Sequence, residues 1–192
     1  MALTRFPLEQ YATLELNQVA FPKTGMVVSQ TPLGAKFVEG GSGNYGVCET
    51  GMWVVADKSK GYLDAPAATT DTPIGIVYTA EKEYDMYHYG LKTFGRKVAG
   101  DYPRVGILGL GDTVTTNCLQ YDNSEAGFTT TTALETTLNA YATTPVYVVP
   151  VAGSPVPKLT KTKPASGTYG KVTKYYTVPN GEKGVKYEIV SL

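Results

Sequence analysis

Two short apolar runs interrupted by glycine constrain the fold more than any other feature of the sequence. Residues 74–77 read Ile-Gly-Ile-Val and residues 105–108 read Val-Gly-Ile-Leu. Runs of this length, bounded by turn residues, are typical of buried strands and are too short for ordinary helices. We therefore expect both runs to be strands in the middle of a small β structure.

A glycine-rich turn follows the second run. Gly109, Gly111 and Asp112 precede residues 113–116, which have the composition of a further strand. Glycine tolerates positive φ, and an Asp carboxylate can accept hydrogen bonds from nearby backbone amides, here expected two residues on. The pattern predicts that Asp112 braces a chain reversal rather than acting as an acid or base.

The composition supports an all-β protein of ordinary domain size. The chain has 192 residues, 42% of them hydrophobic, with 21 Gly, 12 Pro and 15 Tyr. Tyr suits a half-buried sheet surface, while Gly and Pro supply turns. We predict a mainly β fold, a small β-barrel or sandwich, with at most one short helix. The helical spacing of Leu134, Leu138 and Tyr141 places that helix within residues 133–141.

The sequence divides into three segments. Residues 1–24 form an apolar N-terminal arm, residues 25–150 the β-barrel or sandwich domain, and residues 151–192 a linker with a C-terminal β-hairpin extension. Residues 151–167 are rich in Pro, Ser, Thr and Lys, which is typical of linkers. Residues 171–178 and 185–190 alternate around a Pro-Asn-Gly turn, which predicts the hairpin. The arm has to bury itself either on its own domain or on a neighbouring subunit, and the sequence leaves both open.

Charge and hydropathy limit the partners. Lys plus Arg and Asp plus Glu both total 17, so there is no basic surplus for nucleic-acid phosphates. No apolar stretch approaches the ~20 residues that a membrane helix needs, and the first residues do not read as a signal peptide. We expect a chain that folds in a cytoplasm and binds neither nucleic acid nor membrane.

Residues that could carry chemistry are few and scattered. Cys48 and Cys118 lack metal-site spacing; a disulfide is possible, but two small buried side chains are favoured. His88 is the single histidine, and the sequence contains no Gly-x-Ser-x-Gly nucleophile elbow with which it could form a catalytic triad. Carboxylates that could pair as in a glycosidase are common in any chain of this size; here they are Glu81, Glu83, Asp85 and Asp101. We predict no enzyme, no catalytic or metal site and no cofactor.

Tyrosine is the remaining functional signal. Seven of the tyrosines could form an aromatic surface that binds a protein or a sugar, because Tyr offers contact area at low entropic cost. The alternative is that Tyr is simply a good sheet residue. The seven are Tyr84, Tyr87, Tyr89, Tyr102, Tyr175, Tyr176 and Tyr187.

Over about residues 25–120 the chain resembles the capsid decoration (cement, or auxiliary head) proteins of tailed bacteriophages. The resemblance rests on three strand-and-glycine patterns, in residues 25–28, 73–77 and 105–114. It implies a non-enzymatic virion protein, made in the host cytoplasm, that binds and stabilises the capsid surface. Its partners would be the major capsid protein and copies of itself in a symmetric homo-oligomer.

Two further expectations follow. The contact elements are predicted to be the terminal hairpin and the arm, through Phe6, Leu8, Tyr11 and Leu14. The alternatives are a phage tail or connector component, and a carbohydrate-binding or adhesin module that uses the Tyr-rich face.

Overall fold

The computed structural model describes residues 3–8, 12, 14, 27–28, 31–55, 58–78, 98–177 and 181–192. Within them the chain forms eleven strands, one α-helix, α1 (Thr131–Asn139), and one 3₁₀ turn (Lys58–Lys60). The strands, in chain order, are β1 (Leu3–Arg5), β2 (Val27–Val28), β3 (Trp53–Val55), β4 (Ile74–Tyr78), β5 (Arg104–Ile107), β6 (Thr113–Thr116), β7 (Gln120–Asp122), β8 (Tyr147–Val151), β9 (Ser154–Thr160), β10 (Tyr169–Thr177) and β11 (Lys183–Ser191).

The strands form two sheets. Seven of them pair in the order β1-β7-β9-β8-β10-β11-β6, and four in the order β2-β5-β4-β3. All pairings are antiparallel except β7 with β9. A shared apolar cluster lies between the sheets and draws on both. The predicted all-β class is confirmed, and of the two predicted architectures the described residues form a sandwich rather than a closed barrel.

The four-stranded sheet is buried on both faces. Side chains alternate along a strand, so Trp53 and Ile76 face the cluster shared with the seven-stranded sheet, whereas Val54 and Val77 face a second apolar cluster. This arrangement explains why residues 74–77 are continuously apolar. The predicted strand positions of the two glycine-interrupted runs are confirmed, because they form β4 and most of β5, paired antiparallel.

The predicted short helix is also confirmed as α1. Thr130 caps it: the Thr130 hydroxyl accepts a hydrogen bond from the Ala133 amide at 3.1 Å. Leu134 and Leu138 are buried in the core between the sheets, and Tyr141 packs against that core. The apolar stripe therefore holds the helix although threonines are poor helix formers.

The linker prediction was wrong for part of residues 151–167. β9 occupies Ser154–Thr160 and pairs with β8 and β7. Its prolines are tolerated because β7 pairs only with Lys158 and Leu159, beyond Pro155 and Pro157. The pairing with β8 is irregular between Val149 and Val151, where a third proline lies.

The C-terminal hairpin is confirmed as β10 and β11, which pair along nearly their whole length. It lies inside the seven-stranded sheet, because β8 pairs with β10 and β6 pairs with β11. The central core cluster contains residues from all three segments of the sequence.

The N-terminal arm buries itself on its own fold at the described positions. Phe6 and Leu14 are in the core between the sheets, the Phe6 amide donates to the Leu119 carbonyl at 2.8 Å, and Leu14 bridges to Thr116 of β6. The prediction of Phe6 and Leu14 as contacts to a lattice was therefore wrong. Leu8 is only partly buried, and Tyr11 lies outside the described residues.

Asp112 braces its turn, as predicted. The Gly109 amide donates to Asp112 Oδ2 at 2.6 Å, and Gly111 has φ of 87°. The amide that Asp112 accepts from thus precedes it by three residues, instead of following it by two.

Candidate docking surface

The structure describes only part of the residues considered for chemistry. His88, Glu81, Glu83 and Asp85 lie outside the described residues. Asp101 is described, and its Oδ2 accepts a hydrogen bond from the Val98 amide at 2.9 Å. Asp101 therefore braces the turn at residues 98–101, which the Asp101 amide closes by donating to the Val98 carbonyl at 3.0 Å.

The two cysteines are free thiols in the second apolar cluster, each fully buried. The prediction of two small buried side chains is confirmed. Burial raises the pKa of both thiols, for Cys118 to about 12. The neighbouring Arg5 guanidinium offsets part of the shift at Cys118. Both thiols are therefore protonated at neutral pH.

The described part of the chain contains neither a metal-binding cluster nor a membrane-spanning helix. Among these residues, no group of three or more His, Cys, Asp or Glu side chains is arranged to hold a metal ion. Their helices also include none that is long and apolar enough to cross a membrane.

The seven tyrosines that the sequence grouped together do not share one surface. Tyr187 is fully buried, Tyr175 and Tyr176 are half-buried on β10, and Tyr102 is 60% exposed. Tyr84, Tyr87 and Tyr89 lie outside the described residues. Among the four of these seven that the structure describes, Tyr102 is the only exposed one.

Backbone hydrogen bonds link the segment that carries Tyr102 to the segment that carries a second exposed tyrosine, Tyr62. The Leu33 amide donates to the Asp101 carbonyl at 2.9 Å, and the Leu63 amide donates to the Pro32 carbonyl at 2.7 Å. Residues 32–34 thus lie between the segments that carry Tyr62 and Tyr102.

We call Tyr45, Tyr62, Val98 and Tyr102 the aromatic patch. Val98 lies in the turn that Asp101 closes, and Tyr45 is hydrogen-bonded to Asp64, two residues after Tyr62. Tyr62 is 43% exposed and Val98 is 42% exposed. Leu33 and Leu63, in segments that join the patch, belong to the second apolar cluster, and Tyr45 packs against that cluster. The patch therefore rests on packed side chains.

Tyr45 connects the patch to that cluster. Its ring meets Phe37 edge-on at a centroid distance of 5.1 Å, and Lys36 Nζ lies 5.4 Å from the ring centroid. Partial burial, and then the hydrogen bond to the Asp64 carboxylate, raise the pKa of Tyr45. The hydroxyl is therefore protonated at neutral pH and donates to Asp64, which fixes the ring.

The patch offers a surface for binding. The two carboxylates beside it are held within the fold, since Asp64 accepts from the Ala65 amide as well as from Tyr45, and Asp101 accepts from the Val98 amide. The patch itself presents aromatic and aliphatic area with few rotatable bonds, which suits contacts with proteins and stacking against sugars.

Sequence reasoning missed Tyr45, Tyr62 and Val98. Tyr62 follows Lys60-Gly61 in what the sequence indicates is an exposed turn. A large aromatic residue in an exposed turn was the available local signal. The backbone bonds that join residues 32–34 to residues 61–63 and 100–102 have no local signature.

Comparisons with protein-family models, with curated proteins and with solved structures found no match to this chain.

Proposed function

We propose that this chain is a non-enzymatic structural protein of a tailed-bacteriophage virion that binds and stabilises the outside of the capsid. It acts as a decoration protein and uses the aromatic patch as a contact surface. Its partners are the major capsid protein and copies of itself in a symmetric oligomer, and it is located on the capsid surface.

The observation that carries the proposal is the exposure of Tyr62, Val98 and Tyr102 on segments that are packed against an apolar cluster. Tyr is enriched among the few residues that dominate binding energy at protein interfaces. Because Leu33 and Leu63 in these segments are buried in the second apolar cluster, little conformational entropy is lost when the patch is covered. A modest contact of this kind, repeated by a symmetric oligomer over a lattice, gives high avidity.

The test is co-sedimentation with purified heads that lack this protein. We expect the wild-type chain to sediment with heads, and Tyr62→Ala combined with Tyr102→Ala to weaken binding by roughly ten- to a hundredfold. Leu110→Ala is the matched control, because Leu110 is also an exposed apolar residue, 42% exposed, but lies outside the patch. Equal binding by the double variant and the control would rule out the patch as the contact.

The same preparation separates the proposal from its alternatives. Sedimentation with purified tails or connectors, and not with heads, would place the chain elsewhere in the virion. The exposed Tyr62 and Tyr102 rings next to carboxylate-bearing turns also favour a sugar-binding module as the second candidate. Binding on a glycan array that is lost in the double Tyr variant, without head binding, would establish that candidate.

A further inference from the structure

The charges of this chain are strongly asymmetric although they cancel overall. Residues 151–192 contain seven lysines and two glutamates, which gives a formal charge of +5. Because the whole chain has a formal charge of zero, residues 1–150 carry −5. The C-terminal quarter of the chain is therefore a basic region within a neutral protein.

The β10–β11 hairpin arranges part of this charge on one face. Val172 and Tyr187 oppose each other and point into the core between the sheets. Lys174 opposes Lys186 on the other, outer face, since residues directly opposite in an antiparallel pair share a face and successive residues alternate. Lys171 is on the same outer face, opposite Glu188.

A β-bulge creates the Lys174–Lys186 pair. The register of β10 against β11 shifts between Val172 and Lys174, and the Thr173 hydroxyl donates to the Lys186 carbonyl at 3.3 Å. In a regular ladder Thr173 would oppose Lys186, and Lys174 would oppose Val185 in the core. The extra residue moves Lys174 outward and Tyr175 toward the core, where it packs.

The pairing of two lysines is unfavourable for the isolated chain. Like charges directly opposite on neighbouring strands lie about 5 Å apart at Cβ and destabilise the sheet. Lys174 Nζ lies 5.2 Å from the centroid of the Tyr176 ring, a cation–π contact that holds the ammonium on the outer face. A carboxylate brought between the two ammonium groups would remove the repulsion, so this face gains more from an anionic partner than dispersed lysines would.

We propose that the outer face of the hairpin, which carries Lys171, Lys174 and Lys186, docks onto an acidic protein surface of the capsid lattice. This inference rests on the proposed function and names the chemistry of its partner. Charge complementarity is the argument for that occupant. Glu188 lies on the same face, so the face fits a partner that presents discrete carboxylates together with a basic group. The Glu188 carboxylate would repel a continuous phosphate backbone.

The first experiment measures head binding at increasing salt concentration. We expect Lys174→Glu combined with Lys186→Glu to weaken wild-type binding about tenfold or more, and we expect added salt to reduce binding of the wild type more than that of the variant. Lys163→Glu is the control for charge reversal, because Lys163 is exposed and lies outside both the hairpin and the aromatic patch. Lys174→Arg with Lys186→Arg is the control that keeps the charge. Binding by the charge-reversed variant within twofold of wild type, or equal weakening by Lys163→Glu, would overturn the proposal.

A second experiment separates failure of this proposal from failure of the proposed function. Wild-type and charge-reversed chains are titrated with poly-L-glutamate and, separately, with a short DNA duplex. Poly-L-glutamate binding that needs Lys174 and Lys186 supports an acidic protein partner even if heads do not bind, in which case the capsid location alone is wrong. No difference between the two chains toward poly-L-glutamate, or tighter lysine-dependent binding of the duplex, would overturn the acidic-protein assignment.

Discussion

Trp53 Nε1 donates a hydrogen bond to the Tyr187 hydroxyl at 3.0 Å, and this bond joins the two sheets. Trp53 belongs to β3 of the four-stranded sheet and Tyr187 to β11 of the seven-stranded sheet. The rings are tilted, with centroids 6.0 Å apart, and both side chains are fully buried. The indole thus has a defined acceptor inside an otherwise apolar cluster, which favours one arrangement of the sheets over alternatives that would leave it unpaired.

Removing only the hydroxyl tests this link. Tyr187→Phe keeps the ring but takes the acceptor from a buried indole N–H, so we expect a loss of about 1–3 kcal/mol in the free energy of unfolding. Urea denaturation measures it. Tyr102→Phe makes the same chemical change at an exposed ring and is expected to stay within about 0.5 kcal/mol of wild type. If the two variants were equally stable, the bond would contribute nothing.

The same residue predicts alkaline sensitivity. Burial raises the pKa of Tyr187 far above its usual value of 10.0, and the hydrogen bond from Trp53 offsets only part of that shift. Above pH about 10 the unfolded chain releases the Tyr187 proton while the folded chain keeps it, so stability falls as pH rises. We expect urea midpoints to decrease from pH about 9 to about 11.

Tyr187→Phe provides the control for that measurement. Its decrease is expected to be smaller but not zero, because burial also raises the pKa values of Tyr45 and Tyr175. A variant with the full wild-type pH dependence would show that Tyr187 does not titrate on unfolding.

The thiols are predicted to be inert in the folded protein. The thiolate is the reactive form, and the pKa of Cys118 is raised to about 12, with burial as the main cause. We therefore expect iodoacetamide at neutral pH to label Cys48 and Cys118 only through transient unfolding, and thus slowly, as followed by mass spectrometry. Ala165→Cys, which adds a thiol at an exposed position, is the positive control. Rapid labelling of Cys118 in native protein would contradict its burial.

Gly34 is predicted to be essential to the aromatic patch. A Cβ at this position would lie 2.9 Å from Tyr62 Cδ2 and 3.0 Å from the Leu63 carbonyl oxygen. The ring can move, but the carbonyl is fixed because it accepts the Gly34 amide at 2.9 Å. We expect Gly34→Ala to cost about 1–3 kcal/mol and to move Tyr62, observable as a change in its NMR ring signals. Unchanged stability and unchanged ring signals would show that the segments can separate.

Strand positions were predictable where the signal is local. Residues 74–77 and 105–107 lie in strands because each belongs to a short apolar run that both apolar clusters bury, and the glycines do not interrupt the pairing. β9 was missed because Pro155 and Pro157 look like linker residues, and the fact that β7 pairs only beyond them depends on the tertiary structure.

The candidate surfaces were less predictable than the strands. Tyr62 and Tyr102 are distant in sequence, and their segments are joined through backbone hydrogen bonds to residues 32–34. The outward position of Lys174 depends on a one-residue bulge, whereas strict alternation would place it with Val185. Both features are consequences of long-range register, which composition and periodicity do not encode.

The arm is predicted to depend on one carboxylate. Glu49 Oε2 accepts hydrogen bonds from Arg5 Nη2 and from the Ala12 amide, both at 2.9 Å. Ala12 is 2% exposed, so Glu49→Ala would leave its amide buried without this acceptor, at a cost of about 1–3 kcal/mol. Urea denaturation and limited proteolysis report stability and arm release. Glu49→Gln, which keeps an oxygen for the Ala12 amide, is expected to lose less and to resist cleavage better. If Glu49→Ala showed wild-type stability and no faster cleavage near the arm, Phe6 and Leu14 alone would hold the arm in place.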